Sequence, residues 1–355
     1  MIRSKNLVGL DIGSSSIKIV ELKSKKLGGK EFYKLKKIGY ELLPSNTIVD
    51  GTIIESNSVI ESIKKLSSEI KLKNKHVATS VSGTSVIVKK LVIPKIDPEE
   101  IEESIMWEAK HFITFPLDEV NIDYSIIERP EKEPGDRMDI ILAAVKKEKI
   151  NEYTSVILRT GKIPEVVDID SFALQNALEV NYETSQNGLI ALINIGASIT
   201  NVNILDGDTS ILIRDILFGG NQFSEIIQKE FGLSFEKAER IKKGESVDGV
   251  SFAIASPLID MIFNDLKLEI IKTFDFVKTN THEKKVRKIF ICGGCSKIPG
   301  LKNFLLKGFD VPVEILNPFR NIQINEKIFN RDYIDEIAPF FGVAVGLALR
   351  KIKEH

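Results

Sequence analysis

Val8-Gly9-Leu10-Asp11-Ile12-Gly13-Ser14-Ser15-Ser16-Ile17-Lys18-Ile19 reads as an apolar strand, a Gly/Ser turn and a second apolar strand. In mid-chain, Leu192-Ile193-Asn194-Ile195-Gly196-Ala197-Ser198-Ile199-Thr200-Asn201-Val202 repeats that grammar. Each unit predicts a β-hairpin whose turn exposes backbone N–H groups with no bulky side chain above them. Glycine permits the tight geometry. Clustered N–H groups form a nest for anions, phosphates above all. Two such nests, one in each half of the chain, predict two lobes gripping one polyphosphate between them.

The surrounding sequence supports two halves. At 355 residues the chain is long enough for two or more cores. An apolar fraction of 43% with 28% charged residues is ordinary for a globular protein. A net charge of -1 points away from a general nucleic-acid or anionic-membrane binder. Basic clusters at 23–30 and 282–288 read as solvated edges, the first as a hairpin turn around Gly28-Gly29. No apolar run reaches the roughly 18 residues of a membrane span, and the first strand breaks at Gly13, too early for a signal peptide. Two cysteines fit a reducing compartment, so the expected location is the cytoplasm.

Along the chain, strands are expected at 7–12, 17–22 and 32–42, a helix at 58–70 and a strand at 76–81. A different style follows: a strand at 85–93, a helix from Asp97-Pro98-Glu99-Glu100 to about 112, strands at 120–127 and 138–145 around a loop with Pro130, Pro134 and Gly135, and a helix at 147–160. This segment reads as an α/β insert. A strand at 165–170 and a helix at 171–178 then lead through a polar linker at 181–187 into the second half. That half holds strands at 189–195, 199–205 and 210–217, helices at 222–231, 235–242 and 253–279, a strand at 289–292 and a closing helix at 338–351. The expected fold class is therefore α/β, a duplicated fold with two lobes around a cleft and an insert in the first. The expected boundaries are 1–84 with 161–186 for the first lobe core, 85–160 for the insert, 187–218 with 288–355 for the second lobe core, and 219–287 for a helical subdomain.

Several residues carry chemistry. Asp11, beside the first turn, suits Mg²⁺ held through water, because Mg²⁺ dehydrates reluctantly; it also reads as a turn-stabilising acid. Lys18 reads as a phosphate neutraliser or as an exposed strand lysine. Gly293-Gly294, at the end of an apolar strand and before Ser296, lets backbone approach a flat ring closely. Cys292 and Cys295 form a C-x-x-C, but zinc needs two further ligands and no second Cys pair or paired His exists, so both read as small buried packing residues. Glu239 and Lys242 stand one helical turn apart, the spacing of a surface ion pair. His76, His111, His282 and His355 share no spacing that suggests catalysis. No nucleophile elbow or Walker loop is present.

The order of parts resembles the actin-like ATPase superfamily, which includes actin, sugar kinases, chaperone ATPases and FtsA. Asp11, Gly13, Ser14 and Lys18 keep the offsets of actin's first phosphate loop. Glu239 and Lys242 match the E-x-x-K pair that touches ribose and base in several members, and Ile289-Phe290-Ile291-Cys292-Gly293-Gly294-Cys295-Ser296 matches the adenosine turn. Within the superfamily the chain resembles the PilM family of type IV pilus assembly proteins. That likeness rests on the insert run Glu108-Ala109-Lys110-His111-Phe112-Ile113-Thr114-Phe115-Pro116-Leu117-Asp118-Glu119-Val120 with the later Asp123-Tyr124. Asp168-Ile169-Asp170-Ser171-Phe172-Ala173-Leu174, Phe218-Gly219-Gly220-Asn221 and Gly342-Val343-Ala344-Val345-Gly346-Leu347-Ala348-Leu349-Arg350 add to it.

The resemblance implies a four-subdomain cytoplasmic protein that binds ATP and Mg²⁺ in the cleft, with an SHS2-type insert. The nucleotide-binding residues it implies are Asp11, Gly13, Ser14, Ser15, Ser16, Lys18, Asn194, Gly196, Ala197, Ser198, Gly219, Gly220, Glu239, Lys242, Gly293, Gly294 and Ser296. The metal would be held by Asp11 through water. Asp168 and Asp170 lie where relatives place a water-orienting catalytic group; each reads equally as a helix-capping acid. Hydrolysing relatives carry Asp where this chain has Asn194, and an amide adds no charge to the Mg²⁺ shell, so the expected ATPase activity is weak at most. The implied partner is the N-terminal cytoplasmic peptide of a PilN-like inner-membrane protein, docked extended between the first subdomain and the insert. Contacts with other pilus platform proteins and a cytoplasmic motor ATPase are also implied, recruiting the protein to the cytoplasmic face of the inner membrane. Nucleic acid and a direct membrane span are not. Two other readings stand: a filament-forming FtsA relative, although the chain shows no amphipathic anchor after its last helix, and a small-molecule kinase, although no acceptor motif is visible.

Overall fold

The structure, a computed structural model, describes residues 4–97, 99–127, 137–184, 188–280 and 284–353. Pro98, the loop with Pro130, Pro134 and Gly135, the linker residues 185–187, His282 and His355 lie outside the described residues.

Two sheets share one topology. In the first, Lys30–Leu42, Ser16–Leu27 and Val8–Ile12 run antiparallel in that order, and His76–Val81 and Ile163–Ile169 add in parallel. In the second, Thr209–Ile216, Thr200–Asp206 and Leu189–Ile195 are antiparallel, and Val286–Cys292 and Val313–Ile315 add in parallel. The expected duplication is thus present strand for strand. The central strands are apolar on both faces because both faces are covered. In Leu189–Ile195, Leu189, Ala191, Ile193 and Ile195 pack against the helices Gly220–Phe231, Phe235–Lys242 and Phe252–Asn280, while Ile190 and Leu192 face the other way. Those helices have no core of their own: their apolar side chains and one face of the second sheet form a single cluster.

The inner faces meet through two helices, Asp170–Asn181 and the small-residue helix Gly342–Ala348. Their approach is very close. A Cβ at Gly346 would lie 1.6 Å from the Ala173 carbonyl oxygen, and one at Gly9 would lie 2.0 Å from that of Ala344. Ala173, Leu174 and Leu178 join Leu347, Ile190, Leu192 and Phe290 in one buried cluster, so this helix pair is the join between the lobes.

The insert is a three-stranded sheet, Val86–Pro94, Arg137–Lys146 and Val120–Ile127, with Arg137–Lys146 in the middle. The helix Ile101–Ala109 covers one face through Ile101, Ile105 and Ala109. It starts later than its acidic signal predicts: the Glu100 N–H closes a turn on the Asp97 carbonyl, and the helix begins at the first residue that docks on the sheet. The helix Lys147–Arg159, expected within the insert, instead packs Tyr153, Val156 and Ile157 into the first-lobe core beside Ser56–Glu69.

The end of the chain departs most from expectation. The closing helix predicted at 338–351 is a 3-10 turn at Ala338–Phe341, the helix Gly342–Ala348 and a strand Lys351–Lys353 that pairs with Ser4–Asn6. Tertiary pairing ends the helix early, since the first strand segment offers an open edge. The helices Leu301–Phe309 and Arg331–Ile337 carried no sequence expectation. From Phe319 onward the chain packs on the first lobe, not the second: Phe319, Ile322, Ile334, Phe341 and Val345 share a core with Val20, Leu22 and Leu35, and Ile322–Gln323 extends the first sheet. Residues expected with the second lobe therefore clasp the first.

Candidate functional site

The two hairpins are closed by the same hydrogen bond. Gly13 N–H donates to the Ser16 carbonyl at 3.1 Å, and Gly196 N–H donates to that of Ile199 at 2.9 Å. In each turn the two central N–H groups, those of Ser14 and Ser15 and of Ala197 and Ser198, donate to no acceptor among the described residues. That is the arrangement of an anion nest. Neither Gly13 nor Gly196 has the positive φ that only glycine tolerates easily. What glycine supplies here is room. A Cβ at Gly196 would lie 2.8 Å from the Ile199 carbonyl, and one at Gly13 would lie 3.2 Å from Lys18 Nζ.

Across the first sheet one row reads Asp11, Lys18, Tyr40; across the second the equivalent row reads Asn194, Asn201, Asp215. In the first, Lys18 Nζ pairs with Asp11 Oδ2 at 3.1 Å, both side chains 13% exposed. In the second, Asn194 Nδ2 donates to Asn201 Oδ1 at 2.9 Å and Asn201 Nδ2 to Asp215 Oδ1 at 2.8 Å. The other Asp215 oxygen accepts the N–H of Gly83, in the first lobe, at 2.6 Å. The carboxylate absent at position 194 is thus present two strands over, where it ties the second lobe to the residue that leads into the insert. Sequence reading missed Asn201, Asp215 and Gly83. Aligning the two hairpins residue by residue places Asn201 on Lys18 and was the available signal; Asp215 needs the strand register.

The second nest is built into its neighbours. Gly220 N–H and Asn221 N–H donate to the carbonyls of Gly196 and Ala197 at 2.9 and 2.8 Å, and a Cβ at Gly219 would lie 2.5 Å from the latter. Cys295 Sγ contacts the Gly196 carbonyl at 3.2 Å. Gly293, with φ of +82°, would place a Cβ 2.4 Å from the Ile195 carbonyl, whereas Gly294 meets nothing within 4 Å. Of the glycine pair, the fold itself requires Gly293; Gly294 is exposed and borders open space. Ser296 Oγ donates to the Gly293 carbonyl at 2.7 Å and holds this turn. Lys242 is buried, with Nζ on the Gly220 carbonyl and Ser224 Oγ, each at 3.1 Å, and on Glu239. Both cysteines are free and buried, and burial pushes the Cys295 thiol up to about 11. They pack, as expected, and no three-residue metal-ligating group occurs among the described residues.

The two candidate catalytic acids part company. Asp168 Oδ2 accepts from Arg350 Nε at 2.7 Å, and its Oδ1 accepts the Ile169 N–H at 2.8 Å; it is tied into the fold. Asp170, two residues on, opens the helix at the lobe join and accepts from Ser80 Oγ at 2.5 Å. Burial, then the nearby charge of Asp11, raises its carboxyl to about 6, against the hydrogen bonds of Ser80 and Ser82. Asp215 is raised as well, by burial. Acids that repel one another at close quarters, Asp11, Asp170 and Asp215, could together face a hydrated divalent cation, which needs no three-carboxylate cage.

The Asp170 proton bears on folding, and it predicts the opposite pH dependence for any cation held beside this carboxyl. The native acid takes up its proton near pH 6 and the unfolded acid near 3.8. Between those values the native state binds more protons, so this group's contribution to stability falls as pH rises through the window. Mg²⁺-dependent ligand binding is expected to change the other way, weakening as pH drops from about 7.5 to 5.5, with the dependence flattened in Asp170→Asn. Calorimetric titration across that range checks both signs.

The comparisons with known proteins agree with this geometry. A family model described as type IV pilus assembly protein PilM matches residues 9–352. A cell division protein FtsA from Buchnera aphidicola subsp. Baizongia pistaciae is 24% identical, covering 97% of this chain and 91% of its own. Among solved structures, a PilM–PilN type IV pilus biogenesis complex aligns with a TM-score of 0.86 at 27% identity over 98% of both chains. The ethanolamine utilization protein EutJ from Carboxydothermus hydrogenoformans aligns at 0.55 with 13% identity, covering 97% of this chain and 89% of that one. MreB5 of Spiroplasma citri bound to AMPPNP aligns at 0.50 with 13% identity, covering 96% and 94%. These last two share the actin-like fold. With its duplicated sheets, paired nests and a match over nearly its whole length, the chain belongs to the PilM family of type IV pilus assembly proteins.

Proposed function

We propose that the chain is a nucleotide-loaded adaptor of a type IV pilus platform: it binds ATP with Mg²⁺ between its lobes and holds the N-terminal tail of a PilN-like protein beside its insert. The observation that carries the first part is the pair of matched turns, each with two unengaged N–H groups, set on either side of the lobe join. In this reading the turns hold the phosphates, Lys18 exchanges Asp11 for a phosphate oxygen, and Asp11 with Asp170 faces the hydrated Mg²⁺. The cation supplies charge neutralisation for the phosphates. Glu239 and Lys242 border the sugar and Gly294 the base. An AMPPNP-bound MreB with the same fold supports the ligand class. Turnover is weak, since Asn194 is neutral and its amide is spent on Asn201. Asp170 rather than Asp168 is the candidate for orienting water.

The peptide site follows from what covers the insert sheet. Val86, Val88, Ala143 and Val145 share one face and pack on the first-lobe core. Further along that face Ile141 is half-buried and Val92 exposed, beside the Lys90–Asp139 ion pair at 2.9 Å. This uncovered end forms the groove for an extended apolar tail. The first insert strand also lies against Thr209–Ile216 of the second lobe, and Asp215 holds Gly83, so lobe closure bears directly on the insert. We take the insert as 86–146. No helix among the described residues is long and apolar enough to cross a membrane, so recruitment to the inner membrane runs through the partner.

Calorimetry with ADP and ATP, with and without Mg²⁺, on ligand-stripped protein tests the first part; absence of heat overturns it. For the second, binding of synthetic N-terminal tails of single-span inner-membrane proteins is measured by anisotropy. Ile141→Glu is expected to weaken it by about 2 kcal/mol, the cost of setting a carboxylate against an apolar side chain of the tail. Nucleotide affinity should stay unchanged. Equal tail binding by this variant would place the groove elsewhere.

A further inference from the structure

The helix Phe252–Asn280 presents a face that the adaptor reading does not use. Its buried side packs Ala255, Ile259, Phe263, Leu266 and Ile270 into the second-lobe core. On the opposite side Ile254, Met261 and Leu268 stand 53%, 58% and 55% exposed. They recur every seven residues, so on a helix they drift by only about 20° per repeat and form one stripe. Asp265 and Lys272, both exposed, fall on the same stripe, and exposed Asp275 ends it one heptad beyond Leu268.

An apolar stripe alone does not name its partner, but these two charges do. Parallel pairing of two such helices in register sets Asp265 against Asp265 and Lys272 against Lys272. Antiparallel pairing centred on Asp265 also opposes like charges. One antiparallel register sets Asp265 opposite Lys272 of a second copy, and two-fold symmetry then makes that contact twice. The same register brings Leu268 against its own counterpart at the axis and Met261 opposite Phe276. Glu269, the other acid near the axis, is held within its own chain by Arg214 at 2.7 Å, so Lys272, which it also contacts, can turn to Asp265 of the second copy. A self-complementary surface of this kind is what an isologous interface requires.

We propose that this face is an antiparallel, two-fold contact between two copies of the chain. The proposal goes beyond the adaptor reading and does not depend on it. One helix pair some 30 Å long makes a small interface, so the association is reversible and falls in the micromolar range. Sedimentation equilibrium of the full chain from about 1 to 200 µM should show a monomer–dimer equilibrium. Leu268→Asp should leave only monomer. Asp265→Lys and Lys272→Asp should each weaken the dimer about tenfold, and the double variant should recover most of that loss. Leu268→Cys should yield a covalent homodimer on mild oxidation, while Ile254→Cys should not, because Ile254 lies beyond the paired stretch. All four positions are exposed, and circular dichroism checks that each variant is folded. A chain that stays monomeric throughout, a dimer that survives Leu268→Asp, or a double variant no tighter than the singles overturns the proposal.

Discussion

Gly294→Val is expected to leave the melting temperature within about 2 °C of the parent, while lowering affinity for adenine nucleotides about 100-fold or more. The two halves of this result have separate physical sources. A Cβ at Gly294 meets no atom within 4 Å, and the residue does not sit in the left-handed region, so the fold has no use for a glycine there. The only folding cost is the mild preference of a β-branched residue against the 3-10 turn at Gly294–Lys297, a few tenths of a kcal/mol. The open space above Gly294 is where the proposed adenine ring lies, and two methyl groups in that space displace it. A hundredfold loss corresponds to about 3 kcal/mol. Gly293→Ala is the contrasting control. There the φ of +82° and the 2.4 Å approach to the Ile195 carbonyl make the damage structural, so folding and binding should fail together. Thermal melts beside isothermal titration separate the cases. Unchanged nucleotide binding in a folded Gly294→Val protein would remove the base from this turn.

Gly346→Ala is expected to destabilise the protein by about 3–5 kcal/mol, a fall of roughly 5 °C in melting temperature for a chain of this size. Helix propensity alone predicts the opposite sign, since Ala is favoured over Gly by about 1 kcal/mol within a helix. Contact decides it. The new Cβ would lie 1.6 Å from the Ala173 carbonyl oxygen and 2.3 Å from its carbon, both backbone atoms that cannot rotate away. The helices Asp170–Asn181 and Gly342–Ala348 must part, and the tightly packed layer of Leu174, Leu347, Ile190 and Phe290 between the lobes opens with them. Voids in such a layer are costly because the surrounding side chains relax only partly. Scanning calorimetry measures the effect directly. A rise in melting temperature would mean that propensity wins and that the lobes do not join through this contact.

Much of the fold was legible in the sequence because local patterns carried it. The repeated apolar–Gly–apolar units marked two hairpins, and each is a hairpin closed by its glycine N–H on the carbonyl three residues on. Gly28-Gly29, with φ of +59° and +80°, closes the turn expected between Ser16–Leu27 and Lys30–Leu42. The apolar spacing at Val59, Ile60, Ile63 and Leu66 marked a helix that buries those four residues. The C-x-x-C read as packing, and Cys292 and Cys295 are buried and free. Where the local signal and the tertiary partner disagreed, the partner prevailed. Lys147–Arg159 follows the insert in sequence but buries its apolar face in the first lobe. The continuous pattern over 338–351 breaks because residues 351–353 find a strand to pair with.

By itself, the sequence determined the duplication, the two nests with their glycines, and the insert, since each depends on residues close together in the chain. Only the tertiary structure decided that Asp168 is tied to Arg350 while Asp170 is bonded to Ser80 and lies near the charge of Asp11, because two residues apart on a strand–helix junction they point to different neighbours. Likewise it decided that Asp215 stands in the row of Asn194 and reaches across to Gly83. Strand register between distant segments is set by how whole sheets bury their faces, and no short window of sequence contains that information.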